Sequence, residues 1–296
     1  MMKKLALTLV LLLLAGPAAA ALEVVATTPS MGMLARVVGG EAVTVTVLAP
    51  PDRDPHSLQA RPSMMAALRR ADLLVAVGAE LEVGWLPAAL QGAANPGINP
   101  GTPGYFEAAA QVELIEVGLP ADRSLGDVHP MGNPHVNLDP ERMAQVARAL
   151  AGRLAALNPA AGPGFHANAE RFAGEVVRRA PEWRRRAAGA PGIVLFHKDI
   201  NYLAEFLEVP VLGYLEPVPG IPPTARHLRG LVENLENRRG VILHATYQPV
   251  RAGRFLSDRL GWPVHAVALE PPLGAGAAEY FALIDRLVAA VVSSGS

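Results

Sequence analysis

"LEVVATTPSMGMLARVVGGEAVTVTVLAPP", residues 22–51, decides the fold class. Leu22 to Thr27 is a short apolar run suited to a buried strand. Met31 to Val38 has apolar residues at helical spacing and stops at Gly39-Gly40, a good C-terminal signal. Val43 to Leu48 is rich in β-branched residues and reads as a second strand. Strands alternating with helices indicate a parallel α/β sheet, because parallel neighbours need a crossover between them.

The same alternation continues outward. Pro62 suits the first turn of a helix, and Ala71-Asp72 leads into a strand over Leu73 to Val77. "GAANPGINPGTPG", residues 92–104, is loop, and "VELIEVG", residues 112–118, is expected to be a strand. In "DPERMAQVARALAGRLAAL", residues 139–157, Asp139 is placed to cap a helix that begins at Pro140, with Glu141 in its first turn. The following stretch to residue 190 is charged and largely helical, with Pro181 expected to kink or interrupt it.

A second βα series then starts at "GIVLF", residues 192–196, and ends in a helix over residues 276–292. The expected architecture is α/β. Two lobes, 22–157 and 191–296, each hold a mainly parallel sheet flanked by helices, and residues 158–190 connect them.

Residues 1–21 stand apart. Lys3 and Lys4 precede the apolar run Leu5–Leu14, and Gly16-Pro17 then leads to four alanines. That order is a cleavable secretory signal, too short to anchor in a bilayer. The chain contains no Cys, hence no disulfide and no residue to take a lipid at the cleavage site. An export signal without a lipid-bearing cysteine points to a soluble periplasmic protein. With 26 Lys+Arg against 27 Asp+Glu, nothing suggests a nucleic-acid partner, which needs a basic face.

Ligands of open α/β sheets bind beyond the carboxyl ends of the strands. His56 follows the Val43–Leu48 strand across "APPDRDPHS", and His197 directly follows the strand ending at Phe196. Glu270 follows the strand over residues 263–269, and His135 lies in the loop before a helix. Imidazoles with a carboxylate are a donor set for a borderline-soft cation such as Zn²⁺. The zinc-peptidase pattern H-E-x-x-H is absent. His166 and His227 read as solvated helix residues, and His244 and His265 as sheet residues. The stiff stretch "GDVHPMGNPHVNLDP", residues 126–140, carries His129 as well as His135.

Three stretches carry a resemblance. "LAPPDRDPHSLQARPSMMAALRRADLLVAVGAELEVGWL" (48–86), "NPHVNLDPERM" (133–143) and "LFHKDINYLAEFLEVPVLGYLEPVPGIPPTARHL" (195–228) occur in the order found in one family. It is the ZnuA/TroA-like family of periplasmic metal-binding proteins that feed zinc or manganese ABC importers. The resemblance spans the chain after the leader. It implies two lobes joined by a long helix, with the metal in the cleft between them. It places metal ligands at His56, His135 and His197. The family's fourth ligand is usually an Asp in a stretch like L-D-P-L-G; here "LEPPLG" offers Glu270, displaced by an additional proline. Manganese-preferring relatives often have Glu at the third position, so His197 favours Zn²⁺ over Mn²⁺ or Fe²⁺.

Many zinc-type relatives carry a long His-rich loop before the second motif. The shorter "LPADRSLGDVHPMG" has only His129, a possible recruiting or alternate ligand. For the second nitrogens of the ligand rings, Asp199 and Asn201 are the partners expected near His197, with Glu216 structural. The implied partners are a divalent cation and an ABC permease, with the protein a monomer and no enzyme. The competing readings are a zinc hydrolase using Glu270 as general base, a metal-linked adhesin, or a periplasmic zinc buffer.

Overall fold

The computed structural model describes residues 20–118 and 129–293. The signal segment expected over 1–21 therefore lies almost wholly outside the described residues.

The chain opens with β1 (Leu22–Ala26), α1 (Pro29–Gly39) and β2 (Val43–Val47). It continues with α2 (Pro62–Arg69), β3 (Leu73–Ala76), α3 (Leu86–Ala93) and β4 (Tyr105–Glu107). The four strands form one parallel sheet in the order β2-β1-β3-β4, with Leu22 opposite Val43 and Val24 opposite Leu73. Thr28 caps α1 through its hydroxyl, which accepts from the Met31 amide, and Gly40 ends the helix at φ 54°.

Two long helices follow, α4 (Pro140–Leu157) and α5 (Gly162–Ala187). The second half contains β5 (Ile193–Leu195), α6 (Asn201–Phe206), β6 (Val211–Tyr214), α7 (Ala225–Leu235), β7 (Val241–Ala245), α8 (Arg251–Leu260), β8 (Val264–Val267) and α9 (Ala277–Val292). Its sheet is also parallel, in the order β6-β5-β7-β8. The expected two-lobed α/β fold with a long linking helix is therefore present.

The order of strands reverses at β1 in the first sheet and at β5 in the second. Loops leaving the carboxyl ends of these strands and their neighbours diverge there and leave room for a ligand. The largest apolar cluster is not confined to one lobe. It runs from Val24 and Leu34 through Leu150, Phe172 and Trp183 into Leu195, Leu243 and Ile284. A shared core of this kind resists wide hinge opening, because opening would expose apolar surface at about 25 cal/mol per Å². Smaller clusters lie under α2 and α3 on one side and under α7 and α8 on the other. Among the described residues no helix is long and apolar enough to cross a membrane.

Two local expectations need correction. Residues 112–118 form no strand; the edge strand is β4, paired with Leu74–Ala76. Around Ile115 the backbone is satisfied elsewhere: its amide donates to the Tyr202 hydroxyl and its carbonyl accepts from the Asn133 amide. Glu116 then takes a positive φ of 60°, which ends any extension. Pro181 does not interrupt its helix either, since α5 runs 26 residues through it. The carbonyl that loses a donor belongs to Val177, whose side chain is 68% exposed, so water can serve that face of the helix.

Candidate metal centre

His56 sits in a single 3₁₀ turn, Pro55–Ser57, after β2. Asp54 fixes that turn: its Oδ1 accepts from the His56 amide at 2.9 Å and from the ring Nδ1 at 2.8 Å. The buried Trp85 indole donates to the Pro55 carbonyl at 2.9 Å and pins the turn from below. With Nδ1 committed to a carboxylate, Nε2 is the nitrogen turned to the other histidines, 3.1 Å from His129 Nε2. The His56 charge and hydrogen bonds hold the Asp54 carboxyl below its ordinary value, although burial acts to raise it.

His135 is 8% exposed and precedes the turn that leads into α4. Asn133 accepts from its amide at 3.0 Å, and Asp139 caps α4 by accepting from the Glu141 and Arg142 amides. Its Nε2 is buried and has no hydrogen-bond partner among the described residues. Burial, then the neighbouring histidines, push the ring's pKa well below the usual imidazole range, so it is neutral and ready to donate a lone pair. A buried imidazole nitrogen left without a partner is costly unless something binds it.

His197 follows β5 directly. Its Nδ1 lies 2.8 Å from Glu216 Oε2, and the same oxygen accepts from the Gly220 amide at 3.0 Å. Burial alone would lower its pKa; the Glu216 hydrogen bond and the charges of Asp199, Glu216 and Asp54 outweigh burial and raise it. The sequence reading missed Glu216 and offered Asp199 and Asn201 instead. Asp199 accepts from Gln248, and Asn201 bonds Tyr214 and Glu116. Glu216 directly follows the apolar run of β6, so the strand-end rule applied to carboxylates would have found it.

Ligand atoms of His56, His135 and His197 all lie within 4.8 Å of one another. Their ring centroids are 5.1 to 5.7 Å apart. His129 stands beside them, with Nε2 3.1 Å from His56 Nε2 and its ring 6.5 Å from that of His135. It is not a member of the compact group. Neither is Glu270: its Oε2 accepts from the Ser30 amide at 2.6 Å and the Ser30 hydroxyl at 2.5 Å. Burial pushes the Glu270 carboxyl up to about 7, against the opposing effect of those bonds. The expected fourth ligand therefore sits at the N-terminus of α1, joining the two lobes.

A cavity of about 880 Å³ opens onto His56 and His197, with Asp54, Asp199 and Glu216 on its walls. Acidic walls beside these imidazoles attract a cation and offset its charge once bound. The four remaining histidines are elsewhere. His227 and His244 bond backbone carbonyls, His265 bonds Ser293, and His166 is exposed on α5.

The family model described as "Zinc-uptake complex component A periplasmic" matches residues 24–294. The chain belongs to this family. Within reach of it stands the high-affinity zinc uptake system protein ZnuA of Yersinia pestis, 27% identical over 281 residues, or 90% of this chain and 87% of that protein. A crystal structure of ZnuA matches with a TM-score of 0.74 at 22% identity, covering 91% of this chain and 99% of the other. The solute-binding protein FpvC of Pseudomonas aeruginosa, solved with Mn²⁺, gives 0.76 at 20% identity, covering 92% and 97%. These two likenesses concern the fold. In this chain His56 and His197 follow strands, His135 precedes a helix, and a carboxylate stands behind the rings of His56 and His197.

Proposed function

We propose that the protein captures a divalent cation, Zn²⁺ foremost, outside the inner membrane and delivers it to an ABC importer. The observation that carries this reading is the buried Nε2 of His135, without a hydrogen-bond partner among the described residues, on a ring whose ligand atom lies within 4.8 Å of those of His56 and His197. Membership of the zinc-uptake component family supports the transport role.

The ligands are His56, His135 and His197. A tetrahedral zinc with Zn–N of 2.0–2.1 Å needs nitrogens about 3.3 Å apart. His129 Nε2, 3.1 Å from His56 Nε2, meets that spacing on one edge and supplies the fourth contact or the recruiting one. Glu270 serves as a tie to Ser30 and leaves the first coordination sphere to nitrogen, which favours Zn²⁺ over Mn²⁺ or Fe²⁺. The protein acts as a monomer, free of lipid after cleavage of residues 1–21, with a permease as partner and no nucleic acid. No catalysis is assigned, because Glu270, the base a hydrolase would need, is committed to Ser30.

Cation capture is tested by loading the mature protein with an equimolar mixture of Zn²⁺, Mn²⁺ and Fe²⁺ and measuring bound metal after desalting. Zinc bound in preference to the others supports the reading; no bound metal sinks it. Delivery is tested by zinc uptake in a cell lacking this gene, restored by the parent and not by His135→Ala.

A further inference from the structure

The three histidines come from both lobes, so their spacing depends on how the lobes are held. Zinc tolerates only small errors in that spacing, since its bonds are short and its geometry tetrahedral. The shared core sets the lobes coarsely. Among the residues that span them, Asn133 stands next to two of the histidines. Asn133 is 4% exposed. Its Oδ1 accepts from the His135 amide at 3.0 Å, and its Nδ2 donates to the carbonyl of Lys198 at 2.9 Å, one residue beyond His197. Its own amide donates to the Ile115 carbonyl at 2.9 Å, and its own carbonyl accepts from the Tyr202 hydroxyl at 2.7 Å. A single side-chain amide thus bridges the backbones that carry two of the three histidines. An amide suits the place because it offers an acceptor and a donor at fixed separation.

We propose that Asn133 is a positioning residue that sets the distance between His135 and His197 across the lobe boundary. This rests on the reading of the three histidines as the metal site. The residue touches no metal itself and acts only through the backbone at His135 and Lys198. Tyr202 supports it from the second lobe by holding the Asn133 carbonyl and the Ile115 amide together.

The test uses the mature protein with Asn133→Ala, Asn133→Asp and Tyr202→Phe. Zn²⁺ affinity is measured by chelator competition, the visible absorption of the Co²⁺-loaded form reports geometry, and metal-free melting reports stability. Asn133→Ala is expected to weaken zinc by about 10- to 100-fold, the usual loss for an outer partner of a ligand. Its Co²⁺ bands are expected to lose tetrahedral intensity. Asn133→Asp keeps the acceptor for His135 but cannot donate to Lys198, so its Co²⁺ spectrum should change in the same way. Tyr202→Phe should show a smaller shift of the same sign, and it carries the test if the Asn133 variants do not fold. Parental zinc affinity with a parental Co²⁺ spectrum in the folded variants would overturn the proposal, whatever happens to melting. Failure of the site reading looks different: His135→Ala would then bind zinc like the parent.

Discussion

Glu270, beyond the end of β8, accepts both the amide and the hydroxyl of Ser30 in the first turn of α1. The bond joins the two lobes, and the positive end of the helix dipole favours a carboxylate there. Asn137 completes the link by donating to the Leu269 carbonyl and to the Ser30 hydroxyl oxygen. Because an amide oxygen can accept the same bonds, Glu270→Gln is expected to keep zinc affinity to within about tenfold, below the loss typical of a lost ligand. Chelator competition checks this, and a drop of several hundredfold would restore Glu270 to the metal.

The same residue fixes a pH dependence. Burial raises its folded value to about 7 from an ordinary 4.5. The folded state therefore holds this proton more tightly than the unfolded state. Its contribution to stability is full below 4.5 and is lost as pH rises towards 7, by up to about 3 kcal/mol. Relative to the metal-free parent, Glu270→Gln should gain in melting temperature between about pH 5 and pH 8. A difference that does not vary with pH would contradict the burial argument.

His197 and Glu216 make a second titration visible. The raised pKa of His197 means that zinc must displace a proton from this ring at mildly acidic pH, so affinity rises with pH through that range. Calorimetry in buffers of different ionisation enthalpy should show proton release on zinc binding. Glu216→Gln removes the main group that raises the ring's pKa, so it should reduce the release and weaken zinc by about tenfold. Unchanged proton release in that variant would assign the proton elsewhere.

His129 lies against His56 rather than within the compact group. His129→Ala is expected to cost less affinity than His135→Ala while speeding zinc loss to an external chelator. Stopped-flow competition separates the two effects, and an equal loss in both variants would make His129 a full ligand.

The sequence showed most of the architecture because most strands are apolar or β-branched runs, whereas the three-residue edge strand β4 is not and went unmarked. The three histidines were legible for the same reason, since each follows a strand or precedes a capped helix. Residues 112–118 misled because Val, Leu and Ile look like a strand, while their backbone partners, Tyr202 and Asn133, are remote in sequence. Glu270 is harder to read from sequence, because a carboxylate at a strand end can serve a metal or a helix N-terminus equally well, and here it bonds Ser30. The place of Ser30 beside it is not visible in the sequence. Glu216 was overlooked because the strand-end rule was applied to Glu270 and not to the carboxylate just beyond β6, nineteen positions from the ring it holds.

The most direct measurement is zinc stoichiometry and affinity for the mature protein and for His56→Ala, His135→Ala and His197→Ala, each checked for folding by circular dichroism. One tightly held zinc per parent chain is expected, with every single variant losing at least about a hundredfold, as the removal of one of a few inner ligands should cost more than an outer partner. Three folded variants that bind zinc as the parent does would contradict the three-histidine centre outright.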